Sequence, residues 1–204
     1  MKSLNMMRWL IMQDKCRYDY PLNENSIVFD IGGYGGETSF QLNELYHPKI
    51  YVFEPVRKYY ESLRNRFLND GNISVFPYGL GAYSRDSVFQ VNNGSSTLFE
   101  QRMEVTDYVG QHEIIKIKSI TDFIREQKIN KIDLMCINIE GMEYELIDEL
   151  IRTGDIEKVE NIQIQFHRTV EDYKWKRIRI ITSLKNTHKR TYNFPYIMEN
   201  WKKC

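Results

Sequence analysis

The amino-acid sequence predicts an α/β fold in which a mostly parallel sheet is covered by helices on both faces. Short, nearly continuous apolar runs recur along the chain, which is typical of strands buried on both faces. Segments with helical spacing of apolar residues lie between these runs, and this alternation favours parallel strands joined by right-handed crossovers. The chain has 204 residues, 42% of them hydrophobic, which is enough for one domain over residues 1–204 with a single main core.

The first half of the chain supplies three helices and three strands. The helix after the first strand carries Phe40, Leu42 and Leu45 at helical spacing, and His47-Pro48 ends it. The predicted helices span residues 3–14, 37–46 and 56–69, and the predicted strands span residues 26–31, 49–53 and 73–76. The first helix belongs to an N-terminal helical extension over residues 1–20.

The second half repeats the alternation. Leu146, Ile147, Leu150 and Ile151 form the apolar stripe of a helix between two strands. The predicted strands span residues 132–137, 161–166 and 190–194, and the predicted helices span residues 142–153 and 172–184. An insertion over residues 82–111 interrupts the pattern with a short alternating run at 87–91 and a loop at 92–97. This insertion either shapes a substrate pocket or forms a hairpin that covers one sheet edge.

Composition narrows the class of protein. Lys plus Arg and Asp plus Glu are both 28, so the net charge is zero and a general polyanion-binding role is disfavoured.

Cys16, Cys136 and Cys204 are odd in number and widely spaced, which indicates free thiols in a reducing compartment. The longest apolar run of the N-terminus, residues 9–12, is too short for a signal-peptide core or a membrane span. We therefore expect a cytoplasmic protein.

The first predicted strand ends in a glycine-rich turn, Asp30-Ile-Gly-Gly-Tyr-Gly-Gly-Glu-Thr-Ser39. Gly32, Gly33 and Gly36 let the backbone turn sharply and approach a ligand, while the following helix directs its free N–H groups at that ligand. In open α/β sheets, ligands bind beyond the carboxyl ends of the strands. The turn therefore indicates a nucleotide-type site, although a purely structural tight turn gives the same pattern.

The second predicted strand ends in Glu54, 22 residues after Gly32. An acidic side chain at this spacing accepts hydrogen bonds from a ribose diol in nucleotide-binding folds. A solvated surface carboxylate is the alternative. Because the glycine turn and Glu54 occur together in strand context, cofactor binding is favoured.

The register of the glycines separates two cofactors. A dinucleotide fold needs G-x-G-x-x-G, and from Gly33 the sixth position is Thr38. Asp30 is unfavourable beside a diphosphate but can accept from the amino group of an amino-acid-like cofactor. The pattern D-x-G-x-x-x-G, from Asp30 to Gly36, therefore favours S-adenosylmethionine over NAD.

The chain resembles the FkbM-type methyltransferases, S-adenosylmethionine-dependent enzymes that typically O-methylate sugars and related natural products. The resemblance covers residues 26–167: the glycine turn after Asp30, the FEP around Glu54, YGLGAYS from Tyr78, NNGSSTLFE from Asn92 and IDLMCINIEGMEYELI from Ile132. The last block is the most specific, and within it Cys136 and Asn138 replace the Lys and Asp that are common in the family.

The resemblance implies a class I methyltransferase (Rossmann-like) fold, with a mostly parallel seven-stranded sheet that ends in an antiparallel strand. Carried over by position, Asp30 and the turn glycines would hold the methionine moiety and Glu54 the ribose. Thr38 would bind the cofactor carboxylate. The residues that would flank the adenine are Tyr78, Gly79 and Leu80.

Catalysis requires a group that removes the proton of the acceptor hydroxyl. Asn138 and Glu140 follow the fourth main strand and His167 follows the fifth, so all three are expected on the cofactor side of the sheet. His167 suits a general base, and Glu140 can orient it, bind the sugar or act as the base. A divalent metal held by Glu140, His167 and Asn138 ranks lower because only one carboxylate is present, so we predict no metal site. Glu143, in the first turn of a helix, is assigned a structural role first.

The favoured function is O-methylation of a sugar hydroxyl in a glycan or glycoconjugate, with no nucleic-acid partner. The alternatives are an NAD(P)-dependent oxidoreductase and a non-catalytic cofactor-binding module. Nucleic-acid methylation is weakest, since the chain is neutral and has no Asn-Pro-Pro-Tyr motif for a flipped base. The sequence does not fix the oligomeric state.

Overall fold

The computed structural model describes residues 2–91, 97–98 and 111–204. Within these residues the α-helices are α1 Lys2–Tyr18, α2 Glu37–Tyr46, α3 Arg57–Arg66, α4 Ile120–Glu126, α5 Glu143–Thr153 and α6 Tyr173–Leu184. The strands are β1 Ile27–Ile31, β2 Lys49–Phe53, β3 Ile73–Phe76, β4 Gly79–Gly81, β5 Arg85–Val91, β6 Thr97–Leu98, β7 Gln111–Ser119, β8 Leu134–Ile137, β9 Asn161–Ile164, β10 His188–Phe194 and β11 Met198–Lys203. Most of the predicted 92–97 loop lies outside the described residues.

The main sheet has seven strands in the order β10-β11-β9-β8-β1-β2-β3. The pairs formed among β1, β2, β3, β8 and β9 are parallel, and β11 is antiparallel to both β9 and β10. The chain leaves β1 on one side to form β2 and β3, and returns to its other side to form β8. This reversal opens a crevice beyond the carboxyl ends of β1 and β8, where ligands bind in this class of sheet.

The C-terminus differs from the prediction of one last strand at residues 190–194. The structure has a hairpin, β10 and β11, and it is β11 that pairs with β9. The sequence of β11, MENWKK, contains three charged residues and lacks the apolar run that predicts a buried strand. It is nevertheless buried over its first four residues, because the Glu199 carboxylate accepts from Arg177 and from the Trp201 indole N–H.

Helices cover both faces of the sheet, as predicted. Alternation along β1 directs Phe29 and Ile31 to the face covered by α4, α5 and α6, and Val28 to the face covered by α2 and α3. Phe123 of α4 makes edge-on contacts with Phe29 and Phe53 at ring-centroid distances of 5.7 and 4.9 Å. Each fully buried side chain of this size contributes about 1.5–3 kcal/mol to folding.

The 82–111 insertion supplies β5 and β6 of a second, four-stranded sheet in the order β4-β7-β5-β6, and β4 and β7 flank it along the chain. β4 pairs in parallel with β7, and β5 pairs antiparallel with both β7 and β6. Phe89, Ile115 and Ile117 of this sheet pack with Val56 and Met142 at the crevice. The second sheet therefore forms one wall of the region where the candidate site lies.

Helix α1 packs Trp9 and Cys16 against Phe194 and Met198 of the terminal hairpin. It begins near the predicted start but continues four residues beyond the predicted end at Asp14. Across the part of the chain that the structure describes, no helix has both the length and the apolar composition needed to cross a bilayer.

Candidate active site

The glycine turn between β1 and α2 forms the floor of the site. Gly32 has φ +92°, and a Cβ atom at this position would lie 2.2 Å from the backbone oxygen of Asn138. The turn therefore lies directly against the loop that follows β8, and only glycine permits this approach.

A cavity of about 310 Å³ opens beside this turn. Of the predicted site residues, it is lined by Gly32, Glu54, Gly79, Leu80, Asn138 and Glu140. Three separate loops, after β1, β2 and β8, thus bring cofactor-type and catalytic-type residues into one space. The predicted residues that do not line the cavity are Asp30, Gly33, Gly36, Thr38, Tyr78 and His167.

Asp30 is buried beneath the turn instead of facing the cavity. The Ser39 hydroxyl donates a hydrogen bond to Asp30 Oδ2 at 2.5 Å, and burial raises the pKa of this carboxyl, an effect partly offset by that bond and by the charge of Arg17. The side chain points to the same face of β1 as Val28, which is the face that α2 covers. Asp30 therefore ties β1 to α2 and supports the turn from below.

Gly33 and Gly36 also act in packing. A Cβ at Gly33 would lie 2.4 Å from a methyl group of Val52, and a Cβ at Gly36 would lie 2.7 Å from a methyl group of Leu63. Gly36, with φ +80°, stands at the N-cap of α2. Both glycines let α2 approach β2 and α3 closely, so their contribution to a ligand site is through the shape of the turn.

Thr38 and Tyr78 lie outside the lining of the cavity. The Thr38 hydroxyl accepts a hydrogen bond from Arg17 Nη2 at 3.2 Å, which links α2 to the end of α1. The Tyr78 ring packs against Phe76 and Phe53, with the Lys118 ammonium 5.8 Å from its centroid. Burial raises the pKa of Tyr78 to about 12.

Glu54 faces the cavity from the end of β2. Its two oxygens accept the backbone N–H groups of Tyr34 and Val56, both at 2.9 Å, and its side chain is buried. Burial raises its pKa to about 7, although these two hydrogen bonds favour the ionised form. Each carboxylate oxygen retains a further lone pair, so Glu54 can accept from the hydroxyl groups of a ribose. A buried acceptor beside an open cavity fits an adenosyl ligand.

Glu140 lines the cavity and contacts His167, which does not line it. Glu140 Oε2 lies 3.5 Å from His167 Nε2, and Glu140 has φ +54°, an uncommon conformation for a side chain of this size. Burial raises the pKa of Glu140, and the facing imidazole partly opposes this. His167 therefore contacts a residue that lines the cavity, Glu140, but does not line the cavity itself.

Glu143 is a functional candidate to which the sequence assigned a structural role. Its side chain is fully buried, and it accepts the backbone N–H groups of Gly141 at 2.7 Å and of His167 at 2.6 Å. Its Oε1 also lies 3.3 Å from His167 Nδ1. Burial lowers the pKa of His167, but the hydrogen bond and charge of Glu143, with the charge of Glu140, raise it above its usual value overall. The E-G-x-E spacing was the signal in the sequence.

Most of the apolar lining was not foreseen as part of the site. It comes from the second sheet and from the loops that lead into α3 and α5, which are far apart along the chain: Val56, Phe89, Ile115, Ile117, Ile139 and Met142. Tyr34 and Tyr59 line the cavity as well, with their ring centroids 4.7 Å apart. These residues give the cavity a largely apolar lining beside Glu54 and Glu140.

Among the described residues, no group of three or more His, Cys, Asp and Glu side chains is arranged to hold a metal ion.

The strand order and the site at the reversal point define a class I methyltransferase fold, and solved structures share it. A protein assigned as an rRNA methylase from Clostridium thermocellum superposes with a TM-score of 0.57 at 11% identity, over 93% of this chain and 92% of that one. A protein assigned as a methyltransferase from Streptococcus mutans, in complex with SAH, gives 0.56 at 13% identity over 95% and 96%. An rRNA methylase from Streptococcus thermophilus gives 0.54 at 13% identity over 94% of each chain. At these identities the likeness shows the fold.

The sequence matches the methyltransferase FkbM domain over residues 30–196, most of the chain. The protein therefore belongs to the FkbM methyltransferase family, and its cofactor is S-adenosylmethionine. The predictions of fold, family and cofactor are confirmed. No curated protein matches the sequence of this chain.

Proposed function

We propose that this protein is an O-methyltransferase that methylates a hydroxyl group of a sugar in a glycan or glycoconjugate. The observation that carries the proposal is the cavity itself, which is lined by the buried acceptor Glu54 and by Glu140, the carboxylate that contacts His167. Glu54 suits the ribose of the cofactor, and the Glu140–His167 pair suits the hydroxyl group that receives the methyl group.

In this proposal Glu54 accepts from the ribose hydroxyls, and Gly79 and Leu80 lie against the adenine. Gly32 keeps the turn close to the methionine moiety. Asp30 supports that turn through Ser39. The other predicted cofactor residues act by shaping the surroundings: Gly33, Gly36, Thr38 and Tyr78.

S-adenosylmethionine, when bound, supplies a methyl group on a positively charged sulfur, which an acceptor oxygen can attack in line. The residues of this chain hold the acceptor and remove its proton. Glu140 faces the cavity and hydrogen-bonds the hydroxyl, while His167 contacts Glu140 from behind. The Asn138 amide is a further polar group in the cavity lining. Since Asn138 is neutral, the Glu140–His167 pair provides the basic group.

The proposed class of acceptor is supported by the net charge of the chain and by the polar side chains that line the cavity. A net charge of zero gives no general field for a polynucleotide backbone. A sugar hydroxyl is a weak acid and needs the basic pair that this site contains. The cysteines form no disulfide, which supports a reducing, cytoplasmic location.

The first test is calorimetric titration of the wild-type protein with S-adenosylmethionine, S-adenosylhomocysteine and NADH, with and without magnesium. We expect micromolar binding of the adenosyl ligands and its loss in Glu54→Ala. The matched control is Glu61→Ala, which removes an exposed carboxylate of α3 that pairs with Arg57 and should leave binding unchanged. Binding of NADH in place of the adenosyl ligands would support an oxidoreductase.

The second test is transfer of a labelled methyl group to a panel of sugars, glycolipids and nucleotide-linked sugars, with an rRNA fragment as a further arm. We expect label on a sugar, and loss of that label in Glu140→Gln. Label on the RNA alone would overturn the acceptor assignment. Cofactor binding with no transfer to any acceptor would favour a non-catalytic module.

A further inference from the structure

Glu143 is the first residue of α5 and connects the two loops that carry the candidate catalytic groups. Its Oε2 accepts from the Gly141 backbone, beside Glu140, and its Oε1 accepts from the His167 backbone. The same Oε1 lies 3.3 Å from Nδ1 of the His167 ring. A fully buried carboxylate is costly unless hydrogen bonds compensate it, and the partners that compensate this one belong to the loop before α5 and to His167.

We propose that Glu143 is a positioning residue that keeps the proton of the neutral His167 ring on Nδ1, so that Nε2, which faces Glu140, is the atom that receives a proton. The inference rests on the proposed function. A neutral imidazole carries one N–H, and the hydrogen bond made by one ring nitrogen decides the protonation of the other. With Nδ1–H donated to Glu143, the lone pair of Nε2 faces Glu140 at 3.5 Å.

The proton balance is simple. The O–H bond of the acceptor breaks, its electron pair stays on the oxygen, and the proton reaches Nε2 through the Glu140 carboxylate, where an N–H bond forms. The ring then becomes an imidazolium between two carboxylates. The negative charge of Glu143 stabilises that cation and holds the ring in place while it forms.

The surroundings of the ring are compatible with this role. Two charged groups face it, Glu140 from the loop after β8 and Glu143 from α5. The Tyr144 hydroxyl donates to the His167 carbonyl at 2.5 Å and fixes the main chain. The side chain of His167 is 10% exposed, so the ring has little freedom to turn.

The experiment is nitrogen-15 NMR of the histidine rings in the full-length protein, at a pH high enough for the ring to be neutral. The chain has four histidines, and the His167→Gln variant identifies the resonances of His167. We expect the Nδ1–H form in the wild type and its loss or mixing in Glu143→Gln, together with a downward shift of the ring pKa. Glu149→Gln is the matched control, since Glu149 lies in the same helix and pairs with Arg152; it should leave the ring unchanged.

A second variant keeps the test decisive if Glu143→Gln does not fold. Glu140→Gln should retain the Nδ1–H form, because the proposal assigns the orientation of the ring to Glu143. An Nε2–H form in the neutral wild-type ring, or a change of form in Glu140→Gln but not in Glu143→Gln, would overturn the proposal. A Glu143→Gln protein that loses thermal stability while keeping the wild-type tautomer would show that Glu143 only braces the loops.

The tautomer is measured without an acceptor or a turnover assay. Failure of the proposed function would appear as absent S-adenosylhomocysteine binding or absent methyl transfer. Failure of this inference would appear in the ring spectra, so the two outcomes can be distinguished.

Discussion

Replacing Gly32 by alanine tests the geometry of the glycine turn most directly. Gly32 has φ +92°, and its added Cβ would lie 2.2 Å from a backbone oxygen of Asn138, far inside contact distance. A side chain in the left-handed region costs about 1–2 kcal/mol, and overpacking against a backbone atom costs about 1–3 kcal/mol. We therefore expect Gly32→Ala to lower the free energy of unfolding by about 2–5 kcal/mol.

Gly35 provides the control within the same turn. A Cβ at Gly35 would meet nothing within 4 Å, and its φ is not positive. Gly35→Ala should therefore be neutral, or stabilise by up to about 1 kcal/mol through the unfolded chain. Urea unfolding followed by circular dichroism gives both values, provided that the slope of each transition is unchanged. Because Asn138 lines the cavity, Gly32→Ala should also weaken S-adenosylhomocysteine binding, which calorimetry measures.

The result that would refute this reasoning is equal stability of the two variants, within about 0.5 kcal/mol. In that case the turn would adapt to a Cβ without cost, and the close approach of Gly32 to the loop after β8 would not be required. Loss of cofactor affinity without loss of stability would instead indicate that the alanine methyl group blocks the ligand.

Three carboxylates, Glu54, Glu140 and Glu199, give further measurable effects. Burial raises the pKa of Glu54 to about 7 from 4.5, so the folded chain binds this proton more tightly than the unfolded chain. The contribution of Glu54 to the free energy of unfolding is therefore greatest below pH 4.5, and it falls by about 3 kcal/mol as pH rises through 7. Urea midpoints across this range should show the fall in wild type but not in Glu54→Gln, and an identical profile would contradict it. Glu140→Gln should lower kcat for methyl transfer by about 10²- to 10⁴-fold with unchanged S-adenosylhomocysteine affinity; undiminished kcat would remove Glu140 from the chemistry. Glu199→Gln breaks a buried ion pair with Arg177 and a partly exposed one with Arg190. It should lower stability by about 3–5 kcal/mol in urea unfolding, whereas a change below about 1 kcal/mol would mean the pairs are dispensable.

Much of the sheet could be predicted because its signals are local. The strand before the glycine turn and the strand that ends in Glu54 are short apolar runs, and both match the structure closely. Strand β11 was missed because its buried polar residues bond partners elsewhere in the chain: Glu199 pairs with Arg177 of α6, and Asn200 accepts from Tyr20. A rule based on apolar runs cannot recognise a strand of that kind.

The site was predicted in part for the same reason. Glu54 and Glu140 follow strand ends and line one cavity, because parallel strands end at the same edge of a sheet. Asp30 also stands at a strand end, but its side chain points to the opposite face of the sheet from Phe29 and contacts Ser39. Thr38 turns toward Arg17. The direction of a side chain near a strand end depends on which helix covers that face.

The sequence by itself determined the α/β class, the family, the cofactor and the elements that carry the site, because these depend on residue types and spacings within short segments. Only the tertiary structure decided that Glu140 faces the cavity with His167 behind it, and that Glu143 contacts both loops. The tertiary structure also decided that the second sheet supplies an apolar wall with Phe89 and Ile115. These contacts join residues far apart along the chain, and they form only when the packing of helices and sheets sets the distance between them.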